Sequence, residues 1–180
     1  MIPAEDRKEL LLVARRSIEA ALRSEPYSLQ IPDSGPLAEA RGAFVTLTRG
    51  GVLRGCIGRV TANEPLLRVV SEMAIASARE DYRFSPVRKE ELSQIHIEIS
   101  ALTPPRTIQD ASEIQVGRHG LIIRKGSSSG LLLPQVASER HWDVPRFLEE
   151  TCRKAGLPAD AWREGATIEL FEAEVWGEEE

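Results

Sequence analysis

Near the start of the chain, apolar residues recur at three- and four-residue steps: Leu10, Leu11, Ala14, Ile18, Ala21 and Leu22, with charges between them. Side chains at those steps share one helix face, so the spacing predicts an amphipathic helix over residues 5–24. Pro26, Pro32, Gly35 and Pro36 then predict a long surface connection up to Gly42, because proline withholds the N–H that helices and sheets both use. Beyond it the period changes. Phe44–Arg49 and Val52–Ile57 read as strands joined by Gly50-Gly51, a pair that accepts positive φ, and together predict a β-hairpin. A simple two-residue turn sets Cys56 opposite Val45 and puts Arg54 and Cys56 on one face.

Asn63 reads as the N-cap of a helix over Leu66–Arg79, with Glu64 and Pro65 in its first turn. Asp81–Val87 is a loop. Ile95–Ala101 alternates strictly, with isoleucines on one face and His96, Glu98 and Ser100 on the other. Gly120–Lys125 and Leu131–Leu133 are short strands about a GSSSG turn. Asp143 caps a last helix, with Pro145 in its first turn and Gly156 as its stop. Thr167–Trp176 is a closing strand whose apolar phase shifts, which predicts a bulge near Leu170–Phe171.

The 180 residues suit one domain, or two small lobes sharing a core. A net charge of -5 argues against a broad nucleic-acid footprint, which needs a basic patch. No run approaches the ~20 apolar residues of a membrane helix. The first residues, MIPAEDRKELLLVARR, lack a signal-peptide pattern, so a cytoplasmic location and no membrane partner are expected. Cys56 and Cys152 are the only cysteines, which leaves no disulfide framework and no CxxC motif.

Cys56 is the leading candidate for chemistry. Arg54, about 7 Å away along a strand face, would lower its pKa and hold an anionic group, with Arg59 as a further donor. Gly55 and Gly58 would let a substrate or another backbone come close. Against this stands a small cysteine packed in a strand core. His119, in Gly117-Arg118-His119-Gly120, is a candidate acid or base presented by a tight turn, or a turn histidine bonded to its own backbone. Gln135, read at a strand end, can offer a donor and an acceptor to a ligand or backbone, or bridge two lobes. Arg83, in an ordered loop with Asp81 and Phe84, can grip a carboxylate or phosphate, or form an internal ion pair that pins the loop. His96 and Glu98 share a face, but no third ligand accompanies them and no metal site is assigned. No phosphate-binding glycine motif and no nucleophile elbow is present.

The six residues Leu53-Arg54-Gly55-Cys56-Ile57-Gly58 resemble the hallmark of AmmeMemoRadiSam system protein A, the AMMECR domain family. GAFVTL before them, then DYRFSP, EISALTPP, GRHGL, LLPQVA and the closing FEAEVW resemble the family's other segments in order, over about three quarters of the chain. The resemblance implies an α+β fold, a mainly antiparallel sheet flanked by helices with a smaller second α+β lobe. It implies partners too: a Memo-like protein and a radical SAM protein. It names no cofactor. The chain lacks the CxxxCxxC motif of the radical enzyme itself.

Two functions fit the residues. In one, Cys56 is a nucleophile or thiolate, Arg54 activates it, His119 moves a proton, and the substrate is a small metabolite or a macromolecular group. In the other, the LRGCIG hairpin is a non-catalytic platform for a ligand or protein.

Overall fold

The computed structural model describes residues 1–60 and 63–179. The fold is α+β with antiparallel strands, as expected. The chain divides into two compact units, Met1–Leu102 with Glu174–Glu180, and Thr103–Ala173. Buried apolar side chains form two clusters, one in each unit. Each unit covers its own strands with its own helices, so each can exclude water by itself.

The first unit contains α1 (Ala4–Arg23), β1 (Ala43–Arg49), β2 (Val52–Arg59), α2 (Leu66–Arg79) and β3 (Ile95–Leu102). The last strand, β7 (Thr167–Gly177), begins in the second unit and ends in the first. β1 lies between β2 and β3, antiparallel to both. Its alternation sends Ala43, Val45 and Leu47 into the core, where Ile95, Ile97, Ile99 and Ala101 of β3 join them. The two helices cover this face with Leu10, Val13, Ile18, Val69, Val70 and Met73. A buried hydroxyl pair, Ser17 with Ser71 at 2.7 Å, satisfies the polar atoms between them. Glu5 and Asp6 in the first turn of α1 and Arg23 in its last complement the helix dipole.

Asn63 does not cap α2. Pro65 occupies the cap position without a side-chain bond. Main chain replaces the cap: the N–H groups of Leu66 and Leu67 donate to the carbonyls of Glu39 (2.9 Å) and Leu37 (3.1 Å). The proline-rich connection thus ends by satisfying a helix terminus.

The second unit contains β4 (Arg106–Ile108), β5 (His119–Lys125), β6 (Ser128–Leu132), α3 (Pro134–Glu139), α4 (Val144–Lys154) and the first part of β7. β5 lies between β6 and β7, and β4 pairs with the other edge of β7. Asp143 caps α4 by accepting from the Arg146 N–H at 2.9 Å, and Gly156 follows the helix at φ 72°. The core gathers Leu121, Ile123, Phe147, Leu148, Cys152 and Leu170.

The expected bulge at Leu170–Phe171 is absent. β5 and β7 pair without a shift from His119↔Glu172 to Arg124↔Thr167. The phase change has another cause. Leu170 enters the core, while Phe171, on the opposite face, lays its ring over Gly120 in the space a Cβ would need, and is 2% exposed. Among the described residues, no helix is long and apolar enough to cross a membrane.

Candidate functional site

The β1–β2 hairpin turns at Gly50 and Gly51, both at positive φ, with Arg49 opposite Val52 and Thr48 opposite Leu53. The register then shifts. Leu47 pairs with Gly55 and Thr46 with Cys56, so Arg54 is the extra residue of a β-bulge. Cys56 therefore faces Thr46 rather than Val45. A one-residue slip exchanges faces. Without the bulge Cys56 would point into the core with Val45. With it, Cys56 lies on the open face, partly exposed, and Ile57 takes the inward position against the core.

The bulge also re-aims Arg54. Its Nε and Nη2 donate to the two carboxylate oxygens of Glu91 at 3.0 and 3.1 Å, and Nη1 donates to the Ser85 carbonyl at 2.9 Å. Both side chains of this pair are nearly buried, 14% and 15% exposed. Arg54, with the Arg88 N–H and Arg49, holds the Glu91 carboxyl down at about 2. The positive charge expected to activate Cys56 is therefore engaged, and Arg54 fastens the segment after α2 to the hairpin.

The groups that do reach Cys56 come from that same segment. The Cys56 N–H donates to Asp81 Oδ2 at 2.9 Å, and Arg83 Nη2 donates to the Cys56 carbonyl at 3.3 Å. Asp81 and Arg83 are joined by two further bonds, Nε to Oδ1 at 2.9 Å and Nη2 to Oδ2 at 2.7 Å. The Arg83 side chain holds the Asp81 carboxyl well below the usual carboxylate range, with the N–H of Cys56 adding to it. Asp81 in turn raises Arg83, as would a thiolate charge on Cys56. The pair thus satisfies both outer polar atoms of Cys56. On the inner side, the Thr46 hydroxyl donates to Cys56 Sγ at 3.2 Å. Across β1, Thr46 is opposite Glu98, so Cys56, Thr46 and Glu98 form a polar row over three strands.

The two motif glycines are occupied by the protein itself. A Cβ at Gly55 would overlap the Ser77 carbonyl of α2, and one at Gly58 would overlap the Phe44 ring. Ser77 also enters the ladder: its hydroxyl accepts from the Ile57 N–H (2.8 Å) and donates to the Val45 carbonyl (2.7 Å).

The other candidates are not brought to Cys56 by any hydrogen bond. His119 belongs to the second unit, where Gln115 N–H donates to its Nδ1 at 3.1 Å and Glu172 Oε1 lies 3.5 Å from its Nε2. Gln135 is exposed in the first turn of α3, not at a strand end. His96 Nε2 is 2.7 Å from the Glu178 carbonyl. Thr46 and Glu91 escaped sequence reasoning, and Asp81 was read as part of an ordered loop with no link to Cys56. Only the Asp81–Arg83 pair, two residues apart, was open to it; Glu91 is 37 residues from Arg54.

A protein of Methanosarcina barkeri is 42% identical over 189 residues, covering 100% of this chain and 94% of its own length. One from Pyrococcus horikoshii is 46% identical over 182 residues, covering 94% of this chain and 88% of its own. The crystal structure of an uncharacterized protein from Pyrococcus horikoshii superposes with a TM-score of 0.77 at 44% identity, covering 99% of this chain and 94% of that one. The sequence model of the AMMECR1 family matches residues 11–176, nearly the whole of both units, and the chain belongs to that family.

Proposed function

We propose that this protein is a cysteine-dependent enzyme or accessory factor, with Cys56 as the reacting group and a small metabolite or a group on a macromolecule as its substrate. One observation carries the reading. The bulge at Arg54 turns Cys56 onto the open face, where Asp81 and Arg83 fix its backbone and Thr46 donates to its sulfur. A nucleophile needs access, a fixed position and a donor for its anionic form. Arg83 stands beside Cys56, paired with Asp81 through Nε and Nη2 but 44% exposed, and its Nη1 can hold an anionic substrate group. The resemblance to AmmeMemoRadiSam system protein A supports action alongside a Memo-like protein and a radical SAM protein.

A second reading has its own observation. Arg54, Gly55 and Gly58 all serve the hairpin's own packing. That favours LRGCIG as a rigid platform for a partner or ligand, with no chemistry at the thiol.

The pH–rate profile of Cys56 alkylation separates them. The enzyme reading predicts a midpoint below the free-thiol value of about 8.5. It also predicts slower labelling at neutral pH in Thr46→Val, with Cys152→Ser as the background that isolates one thiol. A midpoint at or above the free-thiol value, unmoved by Thr46→Val, leaves the platform.

A further inference from the structure

We infer that the second unit carries a binding recess of its own, built around His119 and suited to a neutral planar carboxamide. The recess is a hollow of about 260 Å³ beside the β5–β7 pair, lined by His119, Thr103 and Glu172 together with Pro104, Arg106 and Leu170.

The protonation of His119 follows from its neighbours. Gly117, at φ 87°, closes a turn in which the N–H groups of Arg118 and His119 both donate to the Gln115 carbonyl. The Gln115 N–H, on the inner side of that turn, points at Nδ1 at 3.1 Å. A backbone N–H only donates, so Nδ1 must present its lone pair. The neutral ring therefore carries its proton on Nε2. His119 is a donor held in one tautomer, and it is 7% exposed. This excludes the role of general base at Nε2, because the tautomer needed would set an N–H against the Gln115 N–H.

The Nε2 proton is not consumed. Glu172 Oε1 lies 3.5 Å away, beyond ordinary hydrogen-bond length. Thr103 offers a second donor. Its Oγ1 accepts from the Glu172 N–H at 2.8 Å, which leaves the hydroxyl proton without an acceptor among the described residues. Two donors thus face one small hollow, with a carboxylate at its side.

Charge selects the class of ligand. Glu172 is paired with Arg118 at 3.1 Å, and Arg106 on the rim with Glu113 at 2.8 Å. The fixed charges cancel, so neither an anion nor a cation is favoured. A carboxamide matches: its carbonyl accepts from His119 and Thr103, its N–H donates to Glu172, and its plane rests against Pro104. Bound so, His119 polarises the carbonyl as a neutral electrophile.

The test is NMR on the intact chain with 15N-labelled histidine and backbone, titrated with benzamide, benzoate and benzamidine, three planar molecules of one shape. The inference predicts an unprotonated Nδ1 and a protonated Nε2 in the free protein. It predicts saturable shifts at His119 Nε2, Gly120 and Glu172 with benzamide, with affinity about tenfold above the other two, the worth of one well-placed hydrogen bond. Thr103→Val should weaken benzamide by about tenfold, and Thr103→Ser should keep it. The opposite tautomer, equal or tighter binding of benzoate or benzamidine, or no saturable shift with any probe overturns it.

Discussion

The two hairpins of this protein follow one plan, and the first carries an inserted residue that the second lacks. β1–β2 turns at Gly50-Gly51 and β5–β6 at Gly126-Ser127, with Lys125 opposite Ser128. Each lays a glycine under the end of a helix: Gly55 beneath Ser77 of α2, Gly130 beneath Ala155 after α4. From Lys125↔Ser128 to Leu121↔Leu132 the second hairpin keeps its register, and its faces follow from its turn. The first inserts Arg54 and reverses the face of all that follows in β2. A turn fixes register only as far as the next bulge, and here the bulge decides whether a cysteine faces the core or the open face of the sheet.

The similarity is broken most severely at the glycines. Gly55→Ala and Gly130→Ala each force a Cβ into main chain, which cannot move as a side-chain tip would. Each should cost ~3 kcal/mol or more, read as a shift of the urea midpoint. A loss under ~0.5 kcal/mol at either site would contradict the close approach of that helix.

The difference between the hairpins is sharpened by their arginines. Arg54→Ala removes a nearly buried, two-bond grip on Glu91 and should cost ~1.5–3 kcal/mol. Arg124→Ala in the regular hairpin removes the Arg124–Glu169 pair, 43% and 20% exposed, and should cost under ~1 kcal/mol. Equal costs in urea denaturation would remove the special role of the bulge.

Acid separates the same pair of variants. The Glu91 carboxyl is depressed from 4.5 to about 2 in the folded protein. Its stabilisation is therefore complete above the unfolded value and is lost as pH falls through the folded one. Asp81, depressed by Arg83, acts in the same direction. Denaturation midpoints should fall between about pH 4.5 and 2, and Arg54→Ala should flatten that slope while Arg124→Ala keeps it. The smallest effect is Thr46→Val: a stability change under ~1 kcal/mol, since a single neutral hydrogen bond to sulfur is lost, with slower alkylation of Cys56.

Much of the fold was legible because local physics agreed with tertiary packing. The 3.6-residue stripe of α1, the alternation of β3 and the Asp143–Pro145–Gly156 punctuation of α4 each carry their own signal. What failed depended on partners distant in sequence. Asn63 looked like a cap, but the Leu37–Glu39 main chain satisfies the N-terminus of α2. Leu170–Phe171 looked like a bulge, but Gly120, some fifty residues earlier, makes room for the ring. The real bulge had one sign, a glycine inside a strand, and Gly55 left open whether a substrate or another stretch of main chain comes close; the main chain at Ser77 of α2 does. At the candidate site Cys56 was legible from the family hallmark. Arg83 was a candidate from its loop motif; Thr46 follows only from register, and the bonds of Asp81 and Arg83 to Cys56 only from the packing of the loop after α2 on the hairpin.

The central claim is that the bulge puts Cys56, and not Cys152, within reach of solvent. The most direct measurement is brief labelling of the native chain with a small neutral alkylating reagent, the modified residue located by mass spectrometry. The account predicts label on Cys56, with Cys152, 0% exposed and its thiol pushed up by burial, protected until unfolding. Protection of both thiols until the chain unfolds would return Cys56 to the core, and label on Cys152 first would contradict the packing of α4.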